Sequence, residues 1–385
     1  MHVRPKHGAI ALAAALMMVA ATACGSSSAA TGSTGDASKT DWKTVAAVAD
    51  GGGMDALVAA AKTKGALNVI TLPRDWAGYG ALMDNFTAKY GIKITDANPD
   101  GSSAEEIAAI KSLKGQTRAP DVVDVGQSFA LSGAQESLYA QYKVSTWSDI
   151  PANEKATDGS WTNDYGGFVS IGCDASKVGS CPTTFAQLTS PAYKGKVALN
   201  GDPTKANAAF SAVWAASLAS GGSLDNIKPG IDFFGKLAKG GQYVPVQATA
   251  ATIESGETPI VIDWDYLNAA KTADVNTKGG QWKIAVPHEA LFAGYYAQAI
   301  SKYAPHPAAA RLWEEYLFSA DGQNGFLKGY ARPVELPAMQ KAGTADKSSV
   351  STLPSVDGSP VFPTDAQTTA AKTLLTSSWA STVSS

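Results

Sequence analysis

The chain has 385 residues, 45% hydrophobic and 17% charged, with 31 Lys and Arg against 34 Asp and Glu and a formal net charge of −3. That length exceeds what one hydrophobic core usually organises, so two domains or lobes are expected. A mildly acidic chain without Lys/Arg clusters sets nucleic acid aside as a partner, because such binding leans on neutralising phosphates.

Residues 1–23 begin with Arg4 and Lys6 and continue in a nearly unbroken run of Ala, Leu, Met and Val from Ala9 to Ala21. A positive start, a short apolar run and small residues after it read as a secretory signal peptide. The run is too short for a membrane span. The segment Ala21-Thr22-Ala23-Cys24-Gly25 resembles a bacterial lipobox, with Ala21 where a leucine is usual, and implies a lipid on Cys24 that holds the chain at the outer face of the membrane. An ordinary signal peptide cut near Cys24, or an uncleaved anchor, are the alternatives. Loss of residues 1–23 leaves 29 basic and 34 acidic residues, a net charge of −5. Residues 24–40, rich in Gly, Ser and Thr, read as a flexible linker.

From Asp41 to Lys64 the pattern is helical, broken at Gly51-Gly52-Gly53. Strands are expected at Leu67–Leu72, Ile92–Thr95 and Asp121–Val125, with helices at Tyr79–Tyr90 and Ser103–Leu113 between them. The second helix opens on Ser103-Ala104-Glu105-Glu106, a capping-box pattern. Residues 142–168 are polar, aromatic and irregular. After Phe168–Ile171 the alternation resumes, with strands at Val197–Leu199, Pro259–Ile262 and Trp282–Val286, and helices at 206–219, 227–239 and 266–272. A helix-rich stretch starts near Pro307, and the last forty residues carry no definite element. The alternation predicts an α/β fold in two lobes around largely parallel sheets. The first lobe takes residues 41–168, the second 169–297, and 298–385 return to the first lobe and form the C-terminal segment.

Cys173 and Cys181 stand eight positions apart, and in an oxidising compartment such a pair closes a small loop. A metal site is the rival reading, but only His288 and His306 lie beyond the signal segment to complete it.

Several segments together resemble an extracytoplasmic solute-binding protein of an ABC importer, in the subgroup that includes ferric-iron, polyamine and aminoalkylphosphonate binders. They are Gly65–Ile70 with Phe86 and Tyr90–Ile94; Pro120–Val123; Ser255–Ile260; and Ala304–Trp313 running to Ser319-Ala320-Asp321-Gly322-Gln323. The resemblance covers roughly residues 65–335. It implies a periplasmic-binding-protein fold of two lobes that close on a ligand in the cleft between them, and a monomer that hands the ligand to membrane permease subunits.

Strand ends then supply the candidate ligand residues, because clefts in α/β folds collect the loops at the carboxyl ends of strands. Arg74, Asp75 and Trp76 follow the first strand, where helix capping by Asp75 and packing of Trp76 are the competing roles. Ser102 and Ser103 stand at a helix amino end suited to an anion, or to simple capping. Gln127 belongs to Asp124-Val125-Gly126-Gln127-Ser128 at the end of the third strand, where Gly126 allows close backbone approach or the polar atoms cap the next helix. Asp202 links a second-lobe strand to a helix, and Tyr295 belongs to the pair Tyr295-Tyr296. The segment Asp263-Trp264-Asp265-Tyr266 is the sharpest: carboxylates beside aromatic faces suit a protonated amine. If a helix starts there, the acids cap it instead. A small amine, polyamine-like, is the first expectation for the ligand, an aminoalkylphosphonate the second and ferric iron the third. No cofactor and no resident metal are expected. No Gly-x-Ser-x-Gly, Ser-x-x-Lys, His-Glu-x-x-His or P-loop pattern occurs, so a secreted hydrolase is disfavoured and a non-catalytic binder preferred.

Overall fold

A computed structural model describes residues 40–358 and 361–383. The signal segment, Cys24 and nearly all of the linker lie outside the described residues. Among the described residues ten strands carry the architecture: β1 (Ala66–Ile70), β2 (Lys93–Ala97), β3 (Val122–Gly126), β4 (Thr162–Asp174), β5 (Val197–Leu199), β6 (Tyr243–Gln247), β7 (Ile260–Trp264), β8 (Trp282–Ala285), β9 (Ala293–Ile300) and β10 (Arg332–Pro333). β1 and β2 form a parallel pair. The others form one sheet in the order β3-β9-β4-β7-β5-β6, with β8 and β10 attached to β4. The pairs β7–β5 and β5–β6 are parallel, while β9 and β4 run antiparallel to their neighbours. The result is a mixed α/β fold of two lobes, all within one compact unit.

β4 joins the lobes. Its first half pairs with β9 through Phe168, and from Val169 onward it pairs with β7. Every residue of β4 is buried although the segment reads as polar and irregular in sequence. Neighbours meet several of its polar groups: Asn163 Nδ2 donates to Glu154 at 2.6 Å, Gln298 donates to Asp164 at 3.2 Å, and Ser170 Oγ donates to the Asp263 carbonyl at 3.0 Å. Gly167 lets the other lobe approach, since a Cβ there would strike the Asp265 carboxylate and the Tyr266 ring.

Helices pack as their patterns dictate. Asn207–Ala219 is apolar all round and buried along most of its length, as a helix enclosed on every side must be. Pro307–Leu317 brings Trp313 against Phe86 and Tyr79 in the first lobe's core. Arg311 on that helix is 1% exposed and donates to the carbonyls of Val45 at 2.8 Å and Lys43 at 3.1 Å, fixing the entering chain to the first lobe. Cys173 and Cys181 are joined in a disulfide.

In the C-terminal segment, for which the sequence shows no definite element, Asp365–Val383 is a helix. Trp379 packs against Phe234 and Tyr243 of the second lobe, while Lys372 sits over Phe129 of the first lobe and Phe210 of the second, 4.8 and 5.1 Å from their ring centres. The helix therefore clasps both lobes.

Candidate functional site

A cleft of about 840 Å³ opens between the lobes. Its walls are the segments after β1 and β2 with Asp124 of β3 on one side, and the segments after β5 and β6 with the helix after β7 on the other, near the carboxyl ends of strands in both lobes. Thr71, at the end of β1, lines it with φ +57°, a left-handed conformation that a β-branched residue adopts only when its surroundings impose it.

Seven carboxylates line the cleft among the described residues, against two lysines. The lysines are engaged: Lys205 lies 3.7 Å from Asp202 and Lys271 lies 3.6 Å from Asp263. Two of the acids are deep. Glu106 is 1% exposed and Asp124 4%. The Asp124 backbone N–H donates to Glu106 Oε1 at 3.1 Å, while Glu106 Oε2 and Asp124 Oδ1 have no partner. Burial pushes the Asp124 carboxyl up to about 7, and it drives Glu106 well above the usual range, with Asp124 adding to the effect. A buried acceptor left open in this way is costly unless something binds there.

The other oxygen of Asp124 is held firmly. Tyr79 and Tyr165 hydroxyls both donate to Oδ2 at 2.8 Å, Trp76 Nε1 donates to the Tyr165 hydroxyl at 2.6 Å, and Gln298 donates to the Tyr79 hydroxyl at 2.8 Å. This network orients Trp76, whose ring meets Tyr296 edge-on at 5.5 Å, and both line the cleft. The arrangement offers open carboxylate oxygens beside two aromatic rings, the chemistry that holds an ammonium group.

Asp75, Trp76, Ser102, Ser103 and Asp202 all line this cleft. Ser103 Oγ accepts from Gly126 N–H at 3.2 Å, and the Ser102 hydroxyl donates to Glu105 at 2.8 Å, so the capping box runs from Ser102 to Glu105. Arg74 lies apart from the cleft lining, on the surface, 2.5 Å from Asp84.

The sharpest expected segment sits beneath the cleft rather than in it. Asp263, Trp264, Asp265 and Tyr266 are at most 1% exposed and none lines the cavity. Asp265 is 2.5 Å from Arg332 and also accepts from the backbone of Phe168 at 2.9 Å and Tyr266 at 3.0 Å. Asp263 accepts from Asn200 at 3.2 Å and from Trp264 N–H at 2.8 Å, beside Lys271. A helix starts at Asp265, and its exposed face instead sends Lys271 and Asp274 to the cleft.

Gln127 and Tyr295 line a second cavity. Tyr295 and Tyr296 point to opposite sides of β9, as strand alternation requires, and only Tyr296 reaches the cleft. Asp124 opens the strand-end segment that the sequence offers as a candidate, whereas Glu106 reads there only as part of a cap. The available signal for the depth of Asp124 was an acid inside the apolar run Asp121-Val122-Val123-Asp124-Val125, whose residues are all buried in the structure.

The family described as bacterial extracellular solute-binding protein matches residues 118–353. No curated protein sequence matches the chain. Among solved structures, the periplasmic binding protein AfuA from Actinobacillus pleuropneumoniae, with fructose-6-phosphate bound, is 19% identical with a TM-score of 0.64 and covers 83% of this chain and 99% of that one. Iron-bound HitA from Pseudomonas aeruginosa is 17% identical with a TM-score of 0.59, covering 81% and 97%. A putative spermidine/putrescine ABC transporter protein from Listeria monocytogenes is 12% identical with a TM-score of 0.57, covering 74% and 88%. These likenesses share a two-lobed binding-protein fold across different ligands.

Proposed function

The chain belongs to the bacterial extracellular solute-binding protein family, and on that premise we propose that it captures a small amine-bearing, polyamine-like cation outside the cell and delivers it to the permease of an ABC importer. It does so as a non-catalytic monomer, anchored to the outer face of the membrane through a lipid on Cys24. The observation that carries the ligand class is the pair of open oxygens, Glu106 Oε2 and Asp124 Oδ1, beside Trp76 and Tyr296 in a cleft whose lysines are already paired. An ammonium group donates to both acids and stacks its charge on the rings. Hinge closure about β4 and β9 then turns capture into a shape that a permease can read.

The same surroundings speak against the other two ligands. An anion at Ser102 and Ser103 would meet Asp100, Glu105 and Glu106 among the lining residues. Iron held by paired tyrosines is disfavoured because Tyr295 and Tyr296 line different cavities.

The test is calorimetry and thermal unfolding of the chain from Gly25 onward with putrescine and spermidine. A ligand at a hundred times its Kd stabilises the fold by about 2.7 kcal/mol. The reading predicts saturable binding that Asp124→Asn and Glu106→Gln each weaken, with no consumption of the amine. No binding at millimolar amine, or binding unchanged in both variants, would sink it.

A further inference from the structure

A second cavity of about 480 Å³ lies behind β9, away from the cleft. Phe210, Trp214, Phe292 and Tyr295 form its apolar wall, with Trp214 and Phe292 ring centres 5.2 Å apart. The segment leading into the clasping helix covers it: Phe362 stacks on Tyr295 at 5.8 Å and 14°, and Asp365 and Thr368 complete the lining.

The polar lining is one-sided in charge and in hydrogen-bonding character. Glu154 and Asp365 line it, and no Lys, Arg or His does among the described residues. Glu154 accepts from Asn163 Nδ2 at 2.6 Å and Asn153 Nδ2 at 2.8 Å, and Asp365 accepts from Gln127 Nε2 at 3.4 Å. Carboxylates only accept, so these bonds orient the amides of Asn163 and Gln127 with their oxygens away from the acids. Those oxygens, Asn163 Oδ1 and Gln127 Oε1, have no partner, and neither has Thr368 Oγ1. Asn163 and Thr368 are 3% and 2% exposed. Each open atom can accept a hydrogen bond, and both ionisable groups are acids. Lys372 and Arg332, which pack near this wall, are engaged with the Pro203 carbonyl and with Asp265.

We propose that this rear cavity is a second ligand site, for a small protonated amine that carries an aromatic or branched apolar body. The ammonium donates to Asn163 Oδ1 and Gln127 Oε1 between the two acids, and the apolar body fills the aromatic wall. The volume falls within the range of small-molecule sites. Asn207 lines both cavities, and its side chain fills the space where a Cβ on Gly126 would stand, so one residue of the second lobe forms the partition between them. The clasping helix begins at the cover and touches both lobes, which links occupancy of the rear cavity to lobe position.

Calorimetry of the chain from Gly25 onward with phenethylammonium as probe tests this, with phenylacetate as the anionic counterpart. The expected result is one-to-one binding of the amine, retained in Asp124→Asn and in the presence of saturating spermidine. Phe362→Ala, at a residue 41% exposed, and Glu154→Gln should each weaken it by about tenfold, or ~1.4 kcal/mol. Absence of phenethylammonium binding, equal binding of phenylacetate, loss in Asp124→Asn, or full affinity in Phe362→Ala overturns the proposal. Because the variants separate the two cavities, the rear site is read even where spermidine itself fails to bind.

Discussion

Two pairs of carboxylates are equally withdrawn from water and differ in what meets them. Asp263 and Asp265 are enclosed by Lys271, Arg332, Asn200 and backbone N–H groups. Glu106 and Asp124 face the cleft with one oxygen each left open. The first pair is tied to the strand β4 and to Arg332 of β10; the second is the one proposed to take a donor from outside. Burial of an acid therefore does not by itself mark a binding site; the proposal for Glu106 and Asp124 rests on open oxygens that also line the cleft.

The largest effect that would break this contrast is at Arg332. Arg332→Met leaves Asp265 buried with its cation removed and should cost about 3–5 kcal/mol in a denaturant titration. An unchanged unfolding midpoint would mean that the backbone donors alone sustain Asp265. Asp124→Asn should do the opposite to the two properties: little loss of stability, and a drop in spermidine affinity of about 1.5–3 kcal/mol, read by calorimetry. The same drop in Asp263→Asn, without unfolding, would erase the distinction between the pairs.

The pH dependence sharpens it further. Burial raises Asp124 to about 7 from its ordinary 3.8, so between them the folded chain binds a proton that the unfolded chain lacks. Its contribution to stability is fully present at low pH and is lost as pH rises through about 7. A bound cation favours the ionised acid, so spermidine affinity should rise from about pH 5 to about pH 8, with proton release. Asp124→Asn should flatten that rise. The smallest effect is expected at Asp75, exposed at the rim: Asp75→Asn should cost under about 1 kcal/mol of affinity, and added salt should shrink it further.

Local periodicity made much of the fold legible. The helix expected at Tyr79–Tyr90 has those bounds, and strands β1, β3, β5 and β7 fall within a residue or two of the apolar runs that announced them. β4 was hidden because its burial is tertiary. Thr162, Asn163 and Asp164 read as loop residues, and only Glu154, Gln298 and Tyr79, brought from elsewhere, make them fit a central strand. The clasping helix was hidden for a related reason, since its Ser, Thr and Ala show no strong apolar face and its buried contacts rest on Ala371, Leu375 and Trp379. At the site, strand ends pointed to Asp75, Trp76, Ser102, Ser103 and Asp202 in the cleft. Sequence could not tell a paired acid from an unpaired one. Asp263 and Asp265 looked like ligand groups because Arg332 lies 67 positions from Asp265, and Glu106 looked like half of a cap.

Arg311 gives the molecule a fixed side. By gripping the carbonyls of Lys43 and Val45 it welds the point where the chain enters the fold to the first lobe. A pull on anything upstream of Trp42 is borne by that lobe's core, while the second lobe hangs from β4, β9 and the last helix. Seen from the entry point, the first lobe is the pedestal on which the second is carried.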